Sequence, residues 1–407
     1  MRSAIIAGAA LAAALGLAVP TGAARAEPGV SDKEITIGAY GPLTGAAAYI
    51  GLGGRDGAEV AIREINAAGG IHGRQLRLLY EDDGFSPAKA VAAVRKLVEQ
   101  GDAFAIFGTS GSNPTAATLD YIKEKKVPTL VSFASAPQVT HPFNRYLFRG
   151  GTTESARYGE LYAEFLAEFL QAKNIAVLSG SDEFPKNEGD ATERYLGQWY
   201  GTKLATRQEF KVGDKDFTPQ LLRIREQQPE IVLILGHATE AAIILRQARE
   251  LGLRQPFFGS AAMVDNALLA NAGAAAEGFM GGWLTTVFLD SRHPDMLAFR
   301  KSWETAKGAA PQGRPNVFDV LAYTDLHVMA EGLRRAGPDP TRESFVDALE
   351  TLRNWRVSEI ATPRTFTRSH HIGNLQMQMM TVINRHWVPL RWEPQRESGI
   401  LAGVDGN

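Results

Sequence analysis

The sequence predicts an α/β protein of two lobes, each built around a parallel β-sheet, and three observations carry that expectation. Short β-rich apolar runs alternate with helical patterns from Glu34 to Phe133, and the same alternation restarts at Ile175. Strands separated by helices of this length make parallel sheets with right-handed crossovers. The chain, 407 residues at 44% hydrophobic, also holds more apolar material than one core usually serves.

The first 26 residues stand apart. Arg2, an apolar run through Val19 and the closing Ala24-Arg25-Ala26 read as an export signal with a small-x-small cleavage site. Pro20, Thr21 and Gly22 interrupt the run short of the ~20 apolar residues that a membrane span needs. A mature chain starting near Glu27, free in the periplasm, is the expectation. Without Arg2 and Arg25 the basic residues fall from 43 to 41 against 45 acidic ones, a net charge of about −4 that gives no reason to expect nucleic acid or an anionic membrane as partner. A cysteine count of zero excludes disulfides, thiol nucleophiles, thiolate metal sites and a lipid-modified N-terminal cysteine.

Each element follows from its pattern. A strand is expected over 35–40, then a helix whose apolar face is Ala58, Ala61, Ile62 and Ile65, stopped by Gly69-Gly70. Strands over 76–80, 104–107 and 127–133 are separated by helices over 87–99 and 114–125. In the second unit a helix with Leu161, Phe165, Ala167 and Leu170 on its core face leads to a strand over 175–178. A strand over 203–210, a helix from Pro219 with Thr218 as N-cap, a strand over 231–235 and a helix over 239–251 follow. Beyond Gly278 the pattern turns helical, over 294–306, 316–336 and 342–352, before late strands over 375–383 and 387–391.

No catalytic constellation emerges, and the expectation is a protein that is not an enzyme and carries no cofactor or metal. Gly51-Leu52-Gly53-Gly54-Arg55-Asp56-Gly57 puts Asp56 where the third glycine of a dinucleotide fingerprint belongs. Gly108-Thr109-Ser110-Gly111-Ser112 lacks the spacing of a nucleophile elbow. His370-His371, adjacent and so pointing apart, are read as surface histidines, and Asp82-Asp83 as a loop or helix cap at a strand end.

Ile37-Gly38-Ala39-Tyr40-Gly41-Pro42-Leu43-Thr44-Gly45, Gly57-Ala58-Glu59 and the run from Glu64 to Gly73 resemble the opening of leucine/isoleucine/valine-binding proteins. The resemblance continues through Glu81-Asp82-Asp83, Gly108 to Pro114, Val127 to Pro137, Lys215-Asp216-Phe217, Ile244 to Arg249 and Ala276-Glu277-Gly278. It implies the type I periplasmic binding fold, two Rossmann-like lobes joined by three crossover strands. The implied division is 27–150 plus 282–360 for one lobe and 151–281 plus 361–407 for the other, with crossings near Gly150, Gly281 and Ala361. It also implies a monomeric solute-binding protein that delivers a small carboxylate ligand to the permease subunits of an ABC importer; a ligand-sensing subunit of a signalling system is the competing role.

The resemblance and the physics of the cleft together name the site. Loops after parallel strands present helix N-termini to a common crevice, where free N–H groups attract an anion. Ser110, Ser112 and Asn113, before Pro114, fall on the first carboxylate loop, and Phe133 and Ser135 on the second. Tyr49, Ile50 and Phe184 are expected walls. Ala261 stands where relatives place an acid for the ligand's ammonium, His237 where a tyrosine is usual, and Phe133 where alanine is common. These departures favour an aromatic or keto acid over an amino acid, unless Asp182, Glu183 or Asp265 replaces the missing carboxylate.

Overall fold

A computed structural model describes residues 27–285, 287–308 and 315–396; the expected export signal lies outside the described residues. The first lobe runs β1 (Glu34–Gly41), α1 (Ala48–Ala67), β2 (Gln75–Asp82), α2 (Pro87–Glu99), β3 (Ala105–Gly108), α3 (Ser112–Lys125), β4 (Thr129–Val131) and β5 (Leu147–Arg149). Its five strands pair in the order β2-β1-β3-β4-β5, all parallel. The second lobe runs α4 (Ser155–Glu164), β6 (Ile175–Gly180), α5 (Glu183–Tyr200), β7 (Leu204–Phe210), α6 (Thr218–Glu226), β8 (Ile231–Leu235), α7 (Ala238–Glu250), β9 (Phe257–Gly259), α8 (Asn266–Ala272) and β10 (Met280–Trp283).

The chain then returns to the first lobe. α9 (Pro294–Lys307) and α10 (Val317–Ala336) pack on α1, and α11 (Arg342–Leu349) packs on α10. It ends in the second lobe, where β11 (Gln378–Ile383) and β12 (His386–Pro389) complete a sheet ordered β12-β11-β10-β9-β8-β6-β7. β11 and β12 are antiparallel, so the second sheet is mixed at one edge.

Local chemistry sets the elements that frame the cleft. α2 starts with Pro87, whose missing N–H is one the first helical turn would leave free anyway. α10 opens on a reciprocal cap: Asn316 accepts from Phe318 and Asp319 N–H, and Asp319 accepts from Asn316 N–H. The glycines of 51–57 lie inside α1 and hold no phosphate loop; a Cβ on Gly57 would sit 2.0 Å from the Asp319 carbonyl oxygen, so this glycine lets α1 and α10 approach.

Several expectations need correction. Thr218 is the first residue of α6 rather than its cap, and the Asp216 carboxylate accepts the Thr218 N–H at 3.0 Å. His370 and His371 are buried rather than surface residues: His371 stacks on Phe148 at 3.8 Å and its Nδ1 bonds Leu147 O, because this segment lies against the end of the first sheet. The first passage between lobes follows β5 and the second follows Trp283, which is the last residue of β10. Residues past Ala361 remain with the first lobe: Arg364 pairs with Asp325 of α10, and Ile372 bridges Arg149 beside β5. These contacts carry the third passage beyond Ile372. Only isolated bridges mark 355–372, so no periodicity reveals where that passage lies.

Candidate ligand cleft

The first lobe supplies donors whose other valences are already taken. Ser112 opens α3, and its Oγ accepts the Ala136 N–H at 3.2 Å; the hydroxyl proton is left to give. Ser155 Oγ donates toward Ser135, to the carbonyl at 2.9 Å and the hydroxyl at 3.3 Å, which leaves the Ser135 proton free in the same way. Ser110 is buried beside Asp83, whose carboxyl is raised by burial despite that hydroxyl and the Phe85 N–H. Asp82 organises the loop above: it accepts from Leu43 N–H and Thr44 hydroxyl, both at 2.7 Å, and from Gly84 N–H. Behind these loops Asp325, fully buried, accepts from Ser132 and Gly151 at 2.6 Å and pairs with Arg364 at 3.3 Å.

An aromatic wall stands beside the serines. Phe133 meets Phe318 edge-on at 4.8 Å, and Tyr49 meets the same ring at 5.7 Å. Ile50 is buried in the first turn of α1. The Tyr49 hydroxyl crosses toward the start of α7 at Ala238; burial, with the nearby carboxylates of Glu240, Asp265 and Asp182, pushes its phenol far above the ordinary value.

The second lobe brings titratable groups. His237, the N-cap of α7, is 7% exposed and sits 3.5 Å from Asp182; Phe184 tilts over its ring at 5.7 Å and Phe85 of the other lobe meets it edge-on at 5.9 Å. Burial opposes the imidazolium, but the Asp182 carboxylate, joined by Glu240, outweighs it and the net shift is upward from 6.5. Ala261 is buried, its N–H given to the Tyr162 hydroxyl at 3.1 Å. Glu188, also buried, lies beyond Tyr162.

The lobes meet across this cleft. Asn113 Oδ1 accepts the Glu183 N–H at 3.0 Å, joining α3 to the start of α5, and Asp265 accepts Val317 N–H at 3.2 Å, joining α8 to the start of α10. Thr153 Oγ1, Tyr49 Oη, Asp182 Oδ1, both Glu188 oxygens and both His237 nitrogens are buried without a hydrogen bond of normal geometry. Buried polar atoms rarely stay unpaired, so those of Tyr49, Asp182 and His237, which lie near one another where the lobes meet, mark a place where a polar molecule completes the network.

The structure thus gathers Tyr49, Ser110, Ser112, Asn113, Phe133 and Ser135 on one wall and Phe184, His237 and Ala261 on the other. Phe318 and Glu188 join them without a sequence motif of their own; a phenylalanine in the first turn after the Asn316 cap is the only local signal for the former. Among the described residues, no group of three His, Asp or Glu side chains is spaced to hold a metal, and no helix is long and apolar enough to cross a membrane.

Residues 34–386 match the family model described as periplasmic binding protein. A leucine-, isoleucine-, valine-, threonine- and alanine-binding protein of Pseudomonas aeruginosa is 31% identical over 86% of this chain and 90% of its own. A branched-chain amino acid transporter substrate-binding protein of Streptococcus pneumoniae, solved with isoleucine, superposes with a TM-score of 0.76 at 23% identity, covering 88% of this chain and 100% of that one. A fatty acid ABC transporter substrate-binding protein of Thermomonospora curvata also reaches 0.76, at 21% identity over 90% of this chain and 93% of that one. These are binding proteins rather than enzymes, and the two-lobed architecture is theirs too. The chain belongs to the periplasmic binding protein family, as a solute-binding protein of the ABC transporter type.

Proposed function

We propose that this protein works as a monomer in the periplasm, takes a small carboxylic acid without an α-amino group, aromatic or keto acids foremost, into the cleft, and hands it to the permease subunits of an ABC importer. The ligand carboxylate lies against the start of α3, where Ser112 and Ser135 each have a proton to donate and the helix N-terminus favours negative charge. The aromatic wall of Phe133, Phe318 and Tyr49 suits an apolar or ring-bearing body.

One observation carries the choice of acid: each carboxylate that might serve an ammonium in place of Ala261 already has a partner, although Asp182 keeps one oxygen open. Asp182 is held by His237, Asp265 caps α8 and binds Val317 N–H, and Glu183 accepts from Asn187 at 3.0 Å. An ammonium buried without a counter-charge loses several kcal/mol, and about 1.4 kcal/mol is a factor of ten in affinity. An amino acid as ligand is the second reading, favoured by the printed specificity of the Pseudomonas aeruginosa relative.

A thermal-shift panel decides between them. Leucine, isoleucine, valine and phenylalanine are each paired with the matching keto acid, and benzoate and cinnamate are added. The proposal expects stabilisation by keto and aromatic acids; stabilisation by leucine alone overturns it. Small-angle scattering with the best acid should give a smaller radius of gyration than without, because the lobes close by hinge motion.

A further inference from the structure

The second lobe buries one carboxyl that none of the contacts above accounts for. Glu188 lies on α5 between Phe184 and Thr192, an i, i+4 stripe on one helix face. Phe184 at the upper end of that stripe packs on His237 in the cleft, and the Thr192 backbone at the lower end lies against Gly159 of α4. Glu188 is therefore in the wall between α4 and the cleft. It is 0% exposed, and neither oxygen has a hydrogen bond of normal geometry.

Its neighbours relieve it only in part. The Tyr162 hydroxyl beside it accepts from Ala261 N–H and has a single proton to turn toward one Glu188 oxygen, and the Tyr158 hydroxyl is 2.6 Å from Thr152 Oγ1. Arg157, the cation on α4, is committed to Glu160 at 2.8 Å. His237 faces Asp182. Leucine at position 188 would make ordinary core, whereas a buried carboxyl left with at most one phenol costs stability unless something completes it.

We propose that Glu188 donates a hydrogen bond to a second oxygen function, keto or hydroxyl, of the bound carboxylic acid, and so selects oxygenated acids over plain ones. This rests on the cleft reading above. Burial, with the like charge of Asp182, holds the Glu188 carboxyl well above the usual carboxylate range, so the neutral acid is the form it keeps. A neutral carboxyl has one O–H to give and a carbonyl to accept, which suits a ketone or hydroxyl and offers an ammonium no counter-charge.

The test is calorimetric titration of two matched pairs, benzoate with 4-hydroxybenzoate and 3-phenylpropionate with phenylpyruvate. The proteins are the parent, Glu188→Leu, Glu188→Gln and Ser112→Ala, each checked for a cooperative melt. The parent should bind the oxygenated member of at least one pair about tenfold tighter, the size of one neutral hydrogen bond. Glu188→Leu should abolish that preference while still binding the plain acid, and Glu188→Gln, which retains a donor, should keep most of it. Equal binding of both members by the parent, or an undiminished preference in Glu188→Leu, overturns the role of Glu188. If those results come with plain-acid binding that Ser112→Ala weakens, the cleft reading survives; if no acid binds the parent, both fall.

Discussion

The two walls of the cleft are built on opposite principles. On the first lobe the groups that hold the carboxylate loops are satisfied, Tyr49 Oη being an exception: Ser112 and Ser135 each accept one hydrogen bond, Asp82 takes three donors, and Asp325 is tied to Ser132, Gly151 and Arg364. On the second lobe Glu188, Asp182 and His237 are buried with capacity to spare. A satisfied wall is preorganised and can grip a feature that every ligand shares, the carboxylate. An unsatisfied wall is complete only with the right ligand in place, which is where discrimination belongs.

Substitutions should therefore cost stability on the first side and specificity on the second. The largest effect is expected from Asp325→Ala, which strands the Arg364 guanidinium in the interior; chemical denaturation should report a loss of about 3–5 kcal/mol. A loss below about 1 kcal/mol would mean that Arg364 finds another partner or water.

Ser112→Ala and Ser135→Ala should each weaken acid binding by about 1.5–3 kcal/mol, the worth of a charge-assisted hydrogen bond, with little change in melting. Calorimetry alongside thermal melts separates the two effects. Parent-like binding by both variants would remove the carboxylate from this wall.

Glu188→Leu should behave in the opposite sense, raising the stability of the ligand-free protein by about 1–3 kcal/mol as an unpaired buried carboxyl is deleted. A destabilised variant would show that the Tyr162 hydroxyl already satisfies Glu188, and the contrast between the walls would collapse.

Asn113→Ala removes the 3.0 Å contact to Glu183 N–H, which spends the Asn113 carbonyl oxygen on joining the two walls. It should cost the closed arrangement about 0.5–1.5 kcal/mol, seen as weaker binding of every acid alike. A change confined to one class of acid would instead make Asn113 a ligand contact.

The smallest effect is a pH dependence at His237. Its folded-state value lies above 6.5, so its contribution to stability is fully present below 6.5 and is lost as pH rises through the folded value. Melting temperature should fall over that rise, and His237→Gln should flatten the slope there; an unchanged slope would assign the pH dependence to other groups.

What could be read from the sequence follows the same division. Ser112, Asn113 and Pro114 form a local signal, a strand end followed by a helix start, and the structure puts them at the cleft. Phe318 and Glu188 carry no such signal. Phe318 meets Phe133 only because α10 returns from the far end of the chain, and Glu188 reads as a solvated charge until α4 covers it. The third passage between lobes leaves no local signal for a related reason, since 361–372 is tied down by Arg364 and Ile372 through long-range contacts rather than by periodicity. Adjacent histidines such as His370 and His371 carry no local sign of burial either, yet Phe148 and Leu147 enclose His371.

The central claim is that the cleft grips a carboxylate and offers an α-ammonium only carboxyls that are already paired, as Asp182 is with His237, or held neutral, as Glu188 is. Competitive calorimetry of phenylpyruvate against phenylalanine tests it most directly, because the two share skeleton and carboxylate and differ at the α-carbon. Phenylpyruvate should bind at least tenfold tighter, corresponding to about 1.4 kcal/mol or more. Tighter binding of phenylalanine would contradict the claim and would make one of the second lobe's carboxylates, Asp182 or Glu188, the partner of its ammonium.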